Sequence, residues 1–537
     1  MPEDTSLICI SEGLDSHPKC PHGPTLLFER TCMNDTEKFY ACSAYRNRKQ
    51  CPFYFKYDSK PTKQHLRTWE KIKKKVLPCY YHQKLYSNFN ELLLKRPAER
   101  TYCHKCEKFI FISEEERHKD HEKSTNLTDY LMHHPTEILR PLEDTKKEAQ
   151  YLFSKKTVEN VANILLKLGA KHVLCIGTPR VHEYISENLQ NEMSSLLLDI
   201  DGRFHNFFGP LNYCWYNLFN HHFFREEAEI VFQDFLTQSN GDNMFLLCDP
   251  PFGGRVEPIS QTIRTISNLH KQWNNICNPN KQLHIMFFFP YFMEPIMQMK
   301  SNSPGISGGL KELKMTDYKV HYDNHSLFTK KRTKMQGTPV RIFTNISLNS
   351  FELPSSDGYK YCKRCQKWRA PENKHCKKCK QCTTKNGKTY KHCNICERCV
   401  KPNWLHCKKC NRCALEKHAC GEFSKFTGRC NKCNLLGHGV RNCTNKDEEM
   451  SNSIEKKQTK KRNINGVDAS KSAKRRKVSL NRKDTSEDTP IVSNRISKCT
   501  TSNIVQSLAF KRREKRFSHL TTGKLIKKKK SVSSLKK

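Results

Sequence analysis

The chain has 537 residues, with 95 Lys or Arg against 54 Asp or Glu, and a formal net charge of +41. This length exceeds one small domain and allows roughly three or four folded units. The charge favours a polyanionic partner such as nucleic acid, through counterion release along phosphates. No apolar run approaches the length of a bilayer-spanning helix, so we expect no membrane partner.

The cysteine content indicates metal binding. There are 28 cysteines, and the chain opens Met-Pro-Glu-Asp-Thr, without the charged-then-apolar pattern of a secretory signal. We therefore expect reduced cysteines inside a cell. Under those conditions CxxC spacing favours metal sites over disulfides.

The first cysteine cluster lies within residues 18–58. Its candidate zinc ligands are Cys20, His22, Cys42 and Cys51. Four nitrogen and sulfur donors suit a closed tetrahedral site, with Cys9 and Cys32 as alternative ligands. Aromatic and basic residues surround them, a mixture typical of single-stranded nucleic-acid binders. The CxH pair, the FYxC string and the cysteine followed by aromatics resemble a GRF-type zinc finger.

A second cluster lies within residues 100–123. Its candidate ligands are Cys103, Cys106, His118 and His121. The spacing is close to that of a C2H2 finger, although the gap between the histidines is short, which favours His118 over His121. A helix is predicted to begin near Ser113. One such finger does not predict major-groove reading, and a structural clip is the alternative.

Residues 148–348 contain no CxxC pair and predict one α/β domain. Apolar patterning predicts helices over 152–168 and 258–273, and strands over 172–177, 195–199, 243–248, 282–289 and 339–346. The last of these alternates, which predicts a late edge strand. This alternation indicates a Rossmann-like, doubly wound and mostly parallel sheet. Ligands of such sheets bind beyond the carboxyl ends of the strands, which is where Gly177, Asp199 and Asp249 fall.

One of these strands runs into the motif Asp249-Pro250-Pro251-Phe252. The Asp249 carboxylate and the Pro250 carbonyl can accept the two hydrogen bonds of an exocyclic amine, and prolines fix the backbone that presents them. Phe252 offers a face on which a base can stack. The motif predicts a catalytic site for a nucleobase amine, formed by all four residues. A proline-stiffened turn is the alternative.

Residues 359–421 contain an internal repeat, His-Cys-x2-Cys-x2-Cys, that begins at His375, His392 and His406. The candidate ligands are Cys362, Cys365, His375, Cys376, Cys379, Cys382, His392, Cys393, Cys396, Cys399, His406, Cys407, Cys410, Cys413, His418 and Cys420. These ligands suffice for three or four zinc sites, and their pairing stays open. Few apolar residues lie between them, so metal must supply much of the folding free energy. The unit resembles CTCHY-type zinc fingers.

Two further segments complete the chain. Residues 428–445 have the spacing of a CCHC zinc knuckle, with ligands Cys430, Cys433, His438 and Cys443. Knuckles generally bind single-stranded RNA, although a structural knuckle is the alternative. Residues 446–537 hold 27 Lys or Arg against 9 Asp or Glu and predict a disordered basic tail. Its basic clusters predict a nuclear or nucleolar location, with the cytoplasm as a second one; a solubilising tail is the alternative.

The glycine turn, the acid-ending strand and the Asp-Pro-Pro-Phe motif resemble the S-adenosylmethionine-dependent adenine-N6 methyltransferases. The order of all modules, over about residues 18–445, resembles the CCHC-containing ribosomal RNA N6-adenosine methyltransferases. The resemblance implies that Asp199 binds the cofactor ribose. It also implies a cofactor-lining turn composed of Ile176, Gly177, Thr178, Pro179 and Arg180. One glycine, where a dinucleotide fingerprint has three, argues against NAD.

These observations predict methyl transfer from S-adenosylmethionine to the N6 of an adenosine in RNA, with several zinc ions bound. The resemblance implies large-subunit ribosomal RNA as the partner. One alternative is a non-catalytic, zinc-dependent RNA-binding protein with a degenerate methyltransferase fold; another is a ubiquitin-ligase-like adaptor. DNA adenine or another RNA amine are alternative substrates. A lid over the site is predicted around Gly305, Gly308 and Gly309.

Overall fold

A computed structural model gives the fold of the protein. It describes residues 5–10, 13–32, 35–45, 47–59, 62–76, 80–142, 150–278, 281–301, 309–325, 338–416, 418, 426–429 and 436–437. The chain divides into two compact units, Met1–Phe426 and Thr427–Lys537. No helix in the described ranges combines the length and apolarity that crossing a membrane requires. The knuckle ligands, Cys420, Gly305, Gly308 and the basic tail lie outside these ranges.

The first zinc module is a small antiparallel sheet. Its strands are β1 (Thr5–Ile10), β2 (Lys19–Cys20), β3 (Gly23–Pro24), β4 (Leu26–Cys32), β5 (Asp35–Ala41) and β6 (Tyr54–Lys56). Strands β1, β4, β5 and β6 form the sheet in that order, while β2 and β3 form a hairpin. Helices α1 (Lys63–Val76) and α2 (His82–Leu93) follow. Trp69 anchors α1 to the module by packing on Phe53, with ring centroids 4.4 Å apart.

The second zinc module follows α2. It comprises β7 (Thr101–Cys103), β8 (Lys108–Ile110) and β9 (Lys123–Ser124), followed by helices α3 (Asp129–His133) and α4 (Pro135–Ile138). The α-helix expected near Ser113 is instead a 3-10 helix, Ile112–His118. Side chains three residues apart eclipse in this geometry, and the i to i+3 bonding continues from His118 to His121. Both histidines therefore reach the same side.

The central domain contains the large sheet. Its elements are α5 (Lys155–Lys167), β10 (His172–Ile176), α6 (Pro179–Asn188), β11 (Ser194–Asp199), β12 (Tyr213–Asn217), β13 (His222–Phe223), α7 (Glu226–Leu236), β14 (Met244–Cys248), α8 (Val256–Trp273), β15 (His284–Pro290), α9 (Glu294–Lys300), β16 (Lys314–Met315) and β17 (Val340–Thr344). The strand order is β13-β12-β11-β10-β14-β15-β17-β16. Strands β12, β11, β10, β14 and β15 run parallel to one another. Strand β17 runs antiparallel to β15 and β16, and β13 runs antiparallel to β12. This arrangement confirms the predicted doubly wound sheet.

Both faces of the sheet are buried. Successive residues of β14, such as Phe245 and Leu246, point to opposite faces, yet neither is more than 1% exposed. Helices α5 and α6 cover one face, where Val161 and Ile185 join the cluster that contains Phe245. Helices α7 and α8 contact each other and cover the opposite face. Burial on both sides explains why these strands are continuous apolar runs rather than alternating ones.

The hairpin array follows the central domain. Its strands are β18 (Lys360–Cys362), β19 (Lys367–Arg369), β20 (His375–Cys376), β21 (Gln381–Cys382), β22 (Lys391–Cys393), β23 (Arg398–Val400), β24 (Trp404–Cys407) and β25 (Arg412–Leu415). They pair as four successive antiparallel hairpins. The Asp317 carboxylate joins the array to the central domain by accepting bonds from Asn373 (2.6 Å) and the Ala370 amide (3.0 Å). Strands β26 (Phe426–Arg429) and β27 (Leu436–Gly437) form a separate pair.

Candidate active site and metal groups

The strand order reverses between β10 and β14, which makes the carboxyl ends of these strands a topological switch point. The Asp249 amide donates to the Ile176 carbonyl (3.1 Å), and the Gly177 amide donates to the Leu198 carbonyl (3.0 Å). Gly177 has a φ of +62°, and a Cβ there would lie 2.8 Å from the Asp249 carbonyl oxygen. Glycine therefore allows the backbones of three neighbouring strands to meet.

Asp249 presents its carboxyl at this switch point. The Tyr322 hydroxyl donates a hydrogen bond to Asp249 Oδ1 at 2.9 Å. Burial raises the pKa of Asp249 well above its ordinary value, whereas the bond from Tyr322 acts in the opposite direction. The Pro251 carbonyl is occupied, because it accepts from the Gly254 amide at 2.7 Å. Pro250 lines the same cavity as Asp249, and its carbonyl is the second candidate acceptor for an amine.

Phe252 belongs to an aromatic group beside Asp249. Tyr151 stacks against its ring at a centroid distance of 5.5 Å and an angle of 27°. Tyr322 meets the same ring edge-on, with centroids 5.8 Å apart. His325 in turn stacks on Tyr151 at 4.2 Å. This packing holds Phe252 in place, so a flat base would enter an already ordered aromatic layer.

Asp199 ends β11 two strands from Asp249. It is 8% exposed, and its Oδ1 accepts a hydrogen bond from the Asp201 amide at 2.9 Å. Burial, together with the negative charge of Asp201, raises the pKa of Asp199 to about 7. Arg203 neutralises Asp201 through an ion pair of 2.6 Å. Asp199 is thus a shielded carboxyl that can accept hydrogen bonds from neighbouring hydroxyls.

A cavity of about 520 Å³ connects these groups. The central domain contributes Ile176, Gly177, Asp199, Asn217, Asp249, Pro250, Pro251 and Phe252 to its lining. The first zinc module contributes Phe28, Arg30, Phe39, Arg48, Phe53 and Tyr54. Asn217 holds the two together, because its amide donates to the His22 carbonyl (2.9 Å) and to Ser43 Oγ (2.8 Å). The central domain and the first zinc module therefore form the cavity together.

The zinc-module wall of the cavity alternates arginines with aromatic rings. Arg48 lies over Tyr54 at 4.1 Å from the ring centroid, and Arg30 lies over Phe39 at 5.1 Å. Arg255, from the loop after the Asp-Pro-Pro-Phe motif, lies over Phe28 at 5.3 Å. Cations beside aromatic rings suit a backbone of phosphates with stacked bases.

The cysteines and histidines converge in groups of four. The groups are Cys20, His22, Cys42 and Cys51; Cys103, Cys106, His118 and His121; Cys362, Cys365, His375 and Cys382; Cys376, Cys379, His392 and Cys399; and Cys393, Cys396, His406 and Cys413. The donor atoms of each group lie within 4.8 Å of one another. Cys410 Sγ and His418 Nε2, 3.5 Å apart, begin a further group.

These groups fit zinc. With Zn–N and Zn–S bonds of about 2.0 and 2.3 Å, the edges of a tetrahedron are roughly 3.3–3.8 Å long. Donor atoms within the array lie 3.1–3.8 Å apart. The donor set of three thiolates and one imidazole is typical of structural zinc sites. These clusters could therefore each hold one ion.

The hairpin array shows how each repeat divides its ligands between two neighbouring sites. His392 and Cys399 are cross-strand partners in one hairpin, and they meet Cys376 and Cys379 from the turn of the preceding hairpin. The residue after each CxxC turn has positive φ; these residues are Gln366, Lys380, Glu397 and Asn411. Each repeat thus contributes its histidine and its last cysteine to one site, and its first two cysteines to the next site.

Comparison with known proteins identifies the family. A family model described as "Probable N6-adenine methyltransferase" matches residues 144–345. A Homo sapiens protein named rRNA N(6)-adenosine-methyltransferase ZCCHC4 is 36% identical over 479 residues, which cover 86% of this chain and 91% of that protein. Its Mus musculus counterpart is 38% identical over 365 residues, covering 67% and 70%. The Xenopus tropicalis counterpart is 36% identical over 373 residues, covering 68% and 74%.

This chain belongs to the rRNA N6-adenosine-methyltransferase family. Membership makes the central domain a methyltransferase domain, which implies S-adenosylmethionine as cofactor. The residues present fit that group, because Ile176, Gly177 and Asp199 line one cavity and the Asp199 carboxyl can accept ribose hydroxyls. The non-catalytic and ubiquitin-ligase-like alternatives are not favoured.

The structure separates the expected cofactor turn into two parts. Ile176 and Gly177 line the cavity, whereas Thr178, Pro179 and Arg180 are not among its lining residues. Thr178 and Pro179 cap and open α6. Arg180 pairs with Glu137 at 2.9 Å and with Asp323 at 2.5 Å, so its guanidinium secures chain segments. The sequence of a strand-to-helix turn does not show which of its side chains point into the ligand cavity and which point away from it.

Other expected residues also have definite positions. Cys9 is buried in β1 near Glu257 and Arg255 and lies outside the group around Cys20. Both His118 and His121 join the second group, although the short gap favoured His118 over His121. Gly309 packs against Ser260, where a Cβ would lie 2.4 Å from the hydroxyl oxygen. Sequence reasoning missed Asn217, Tyr151 and Tyr322, which carry no local motif.

We expect cofactor binding to be linked to ionisation of Asp199. Because the pKa of Asp199 is raised to about 7, the folded protein keeps a proton on this carboxyl between roughly pH 4 and 7, where the unfolded chain has lost it. The contribution of Asp199 to the stability of the fold therefore falls as the pH rises through that window. Accepting two ribose hydroxyls favours the ionised form. Affinity for S-adenosylmethionine should therefore rise by up to about tenfold per pH unit below pH 7 and level off above it.

Calorimetric titrations in buffers of different ionisation enthalpy test this linkage. The protein should release a proton on binding at pH 6 and little at pH 8. Asp199→Asn should bind more weakly and without this pH dependence. Equal wild-type affinity at pH 6 and pH 8, with no proton released, would contradict the role of Asp199.

Proposed function

We propose that this protein transfers a methyl group from S-adenosylmethionine to the N6 of an adenosine in ribosomal RNA. One observation carries the proposal: two amine acceptors, Asp249 and the Pro250 carbonyl, share a cavity with Asp199, a carboxyl suited to ribose hydroxyls. The names of the relatives support ribosomal RNA as the substrate class. The family model supports adenine N6 as the acceptor atom.

The chemistry follows from how the cavity holds an adenine. Asp249 and the Pro250 carbonyl each accept one N6–H bond, which orients the nitrogen lone pair away from them and toward the cofactor side. When bound, S-adenosylmethionine would supply the methyl group and would leave as the neutral thioether S-adenosylhomocysteine. The methylated N6 would then release one proton to solvent. Orientation carries most of the rate enhancement, and no strong general base is required.

The first zinc module would guide the RNA strand. A target base inside a helix is inaccessible, so the adenosine must be unstacked and inserted beside Phe252. The arginine–aromatic wall formed by Arg30, Arg48, Phe39 and Tyr54 suits the flanking nucleotides. We infer one zinc ion per group of four ligands, and the ions serve folding and RNA positioning rather than methyl transfer. The zinc-knuckle role assigned to Cys430, Cys433, His438 and Cys443 concerns residues outside the described ranges and stays a prediction.

The basic tail is the basis for proposing where in the cell the protein acts. We infer a nuclear or nucleolar site of action, with the cytoplasm as a second location, because residues 446–537 contain several clusters of Lys and Arg. Deleting these residues should move a fluorescently tagged protein out of the nucleolus. An unchanged distribution would contradict the inference.

Substrate choice tests the proposed function. Zinc-loaded protein with labelled S-adenosylmethionine should label ribosomal RNA and leave single-stranded DNA of equal length unlabelled. Tyr54→Ala should raise KM for ribosomal RNA by about tenfold, since stacking on one aromatic is worth roughly 1–3 kcal/mol. Its affinity for S-adenosylmethionine should stay unchanged.

The matched control is Tyr57→Ala. Tyr57 lies just after the same strand, is 48% exposed and does not line the cavity. We expect its KM to equal that of the wild type. Transfer to DNA at the rate of ribosomal RNA would contradict the proposed substrate class, and equal effects of the two variants would contradict the proposed RNA path.

A further inference from the structure

Tyr322 touches the reacting site although it lies outside every motif in the chain. It is 4% exposed, and it belongs to the segment between β16 and β17, more than seventy residues after Asp249. Its hydroxyl donates to Asp249 Oδ1 at 2.9 Å. The tyrosine ring also meets Phe252 edge-on at 5.8 Å. Tyr322 thus contacts both the amine acceptor and the stacking residue.

The main chain around Tyr322 is fixed on both sides. An isolated β-bridge joins Tyr322 to Phe153. The Asp323 amide donates to the Leu152 carbonyl at 3.0 Å, and the Asp323 carboxylate pairs with Arg180 at 2.5 Å. Arg180 also donates to the Phe153 carbonyl at 2.7 Å. The arginine expected on the cofactor turn instead fixes the strand segment that aims the tyrosine hydroxyl.

We propose that Tyr322 is a positioning residue for methyl transfer: it occupies Asp249 Oδ1 and thereby presents Oδ2 to an N6–H of the adenine. The proposal rests on the proposed function. A carboxylate rotates freely unless one of its oxygens is held by a hydrogen bond. If the carboxylate turned away from the adenine amine, the lone pair of the N6 nitrogen would no longer be oriented. A held carboxylate fixes the direction of the N6–H bond before the base arrives.

The hydroxyl also supports the charge of the acceptor. Burial favours the neutral form of Asp249, and the bond from Tyr322 favours the ionised form. Within the described ranges, other ionisable groups near this carboxyl include the Cys248 thiol on the same strand, Asp199, Tyr151 and Tyr216 in the cavity lining, and Arg255 on the following loop. Among the described residues, Tyr322 is the group whose hydrogen bond opposes the effect of burial on Asp249.

Tyr322→Phe tests the proposal in the full-length, zinc-loaded enzyme. We expect kcat on ribosomal RNA to fall by about tenfold or more, the effect of losing a hydrogen bond to a charged group. KM for RNA and affinity for S-adenosylmethionine should stay within about twofold. The acid limb of the kcat–pH profile should move upward by about one unit. Tyr318→Phe is the matched control, because Tyr318 is a buried tyrosine of the same segment whose hydroxyl bonds Asn160 and Thr157 instead of Asp249.

A double substitution separates positioning from a merely structural role. In Asp249→Asn, the Tyr322 hydroxyl favours the amide orientation that turns its oxygen to the tyrosine and its NH2 toward the adenine amine. Removing that hydroxyl in D249N/Y322F frees the amide to turn. We expect the double variant to be at least about threefold more active than Asp249→Asn alone.

The outcomes distinguish the two claims. A double variant less active than Asp249→Asn, or a Tyr322→Phe enzyme with an unchanged pH profile, would overturn the positioning role while leaving the proposed function intact. A wild-type enzyme that transfers no label to ribosomal RNA would overturn the proposed function, and the role of Tyr322 with it.

Discussion

Asp249→Asn is expected to reduce kcat for methyl transfer by about 10²–10³-fold, comparable to losing one preorganised electrostatic contact. The substitution keeps the shape of the side chain. Because the Tyr322 hydroxyl donates to Oδ1, the amide oxygen would turn to Tyr322 and its NH2 would face the adenine N6–H. Two donors would then oppose each other where an acceptor is required. Single-turnover rates with labelled S-adenosylmethionine measure the loss.

Affinity measurements complete this prediction. Asp249→Asn should bind RNA and S-adenosylmethionine within a few-fold of wild type, because Asp199 and the zinc-module wall are unchanged. Asp242→Asn is the matched control: Asp242 precedes the opposite end of the same strand, is exposed and pairs with Lys281. A folded Asp249→Asn enzyme with wild-type kcat, or one that has lost RNA binding, would refute this assignment.

The zinc array should respond to substitutions according to its interleaved pairing. Cys376 and Cys379 belong to one group of ligands, whereas Cys382, three residues further, belongs to the preceding group. The double variant Cys376→Ser/Cys379→Ser should therefore lose one zinc ion relative to wild type. Cys379→Ser/Cys382→Ser should lose two. Native mass spectrometry counts the ions directly.

This comparison is internally matched, because each double variant removes two thiols from the same repeat. Cys277→Ser provides a further control, since Cys277 is exposed and lies outside the five groups. Loss of one ion from both double variants would show that each His-Cys-x2-Cys-x2-Cys repeat forms its own site, contrary to the structure. Metal loss should also lower the unfolding temperature, because these hairpins have few apolar residues to hold them.

The predictable part of the fold was the part with continuous apolar strands. Strands β10, β11, β14 and β15 and helices α5 and α8 were confirmed, because burial on both faces of the sheet imposes apolar runs that the sequence shows directly. Strand β17 was also confirmed, but the expected edge position was wrong, because β17 lies between β15 and β16 and all its residues are buried. Strand β12 and helices α6 and α7 were missed. Strand β12 reads Tyr-Cys-Trp-Tyr-Asn, and all five residues are buried. The polar atoms of its aromatic side chains made this burial hard to predict from the sequence.

The site was predictable where one short segment carries the chemistry. The Asp-Pro-Pro-Phe motif and Asp199 lie at strand ends, and strand order brings such ends together. Tyr322 and the wall from the first zinc module come from distant segments, so no spacing rule places them. The candidate zinc ligands were predicted by residue type, but hairpin geometry decides how they group: His392 and Cys399 face each other across two strands.

The most direct test identifies the methylated atom. Zinc-loaded protein would be incubated with labelled S-adenosylmethionine and ribosomal RNA, and the digested nucleosides would be separated. With Asp249 and the Pro250 carbonyl as the proposed acceptors of the two N6–H bonds, all label should appear in N6-methyladenosine, and Asp249→Asn should lose most of it. Label in another methylated nucleoside, such as a 2′-O-methyl or N1-methyl product, would contradict the account.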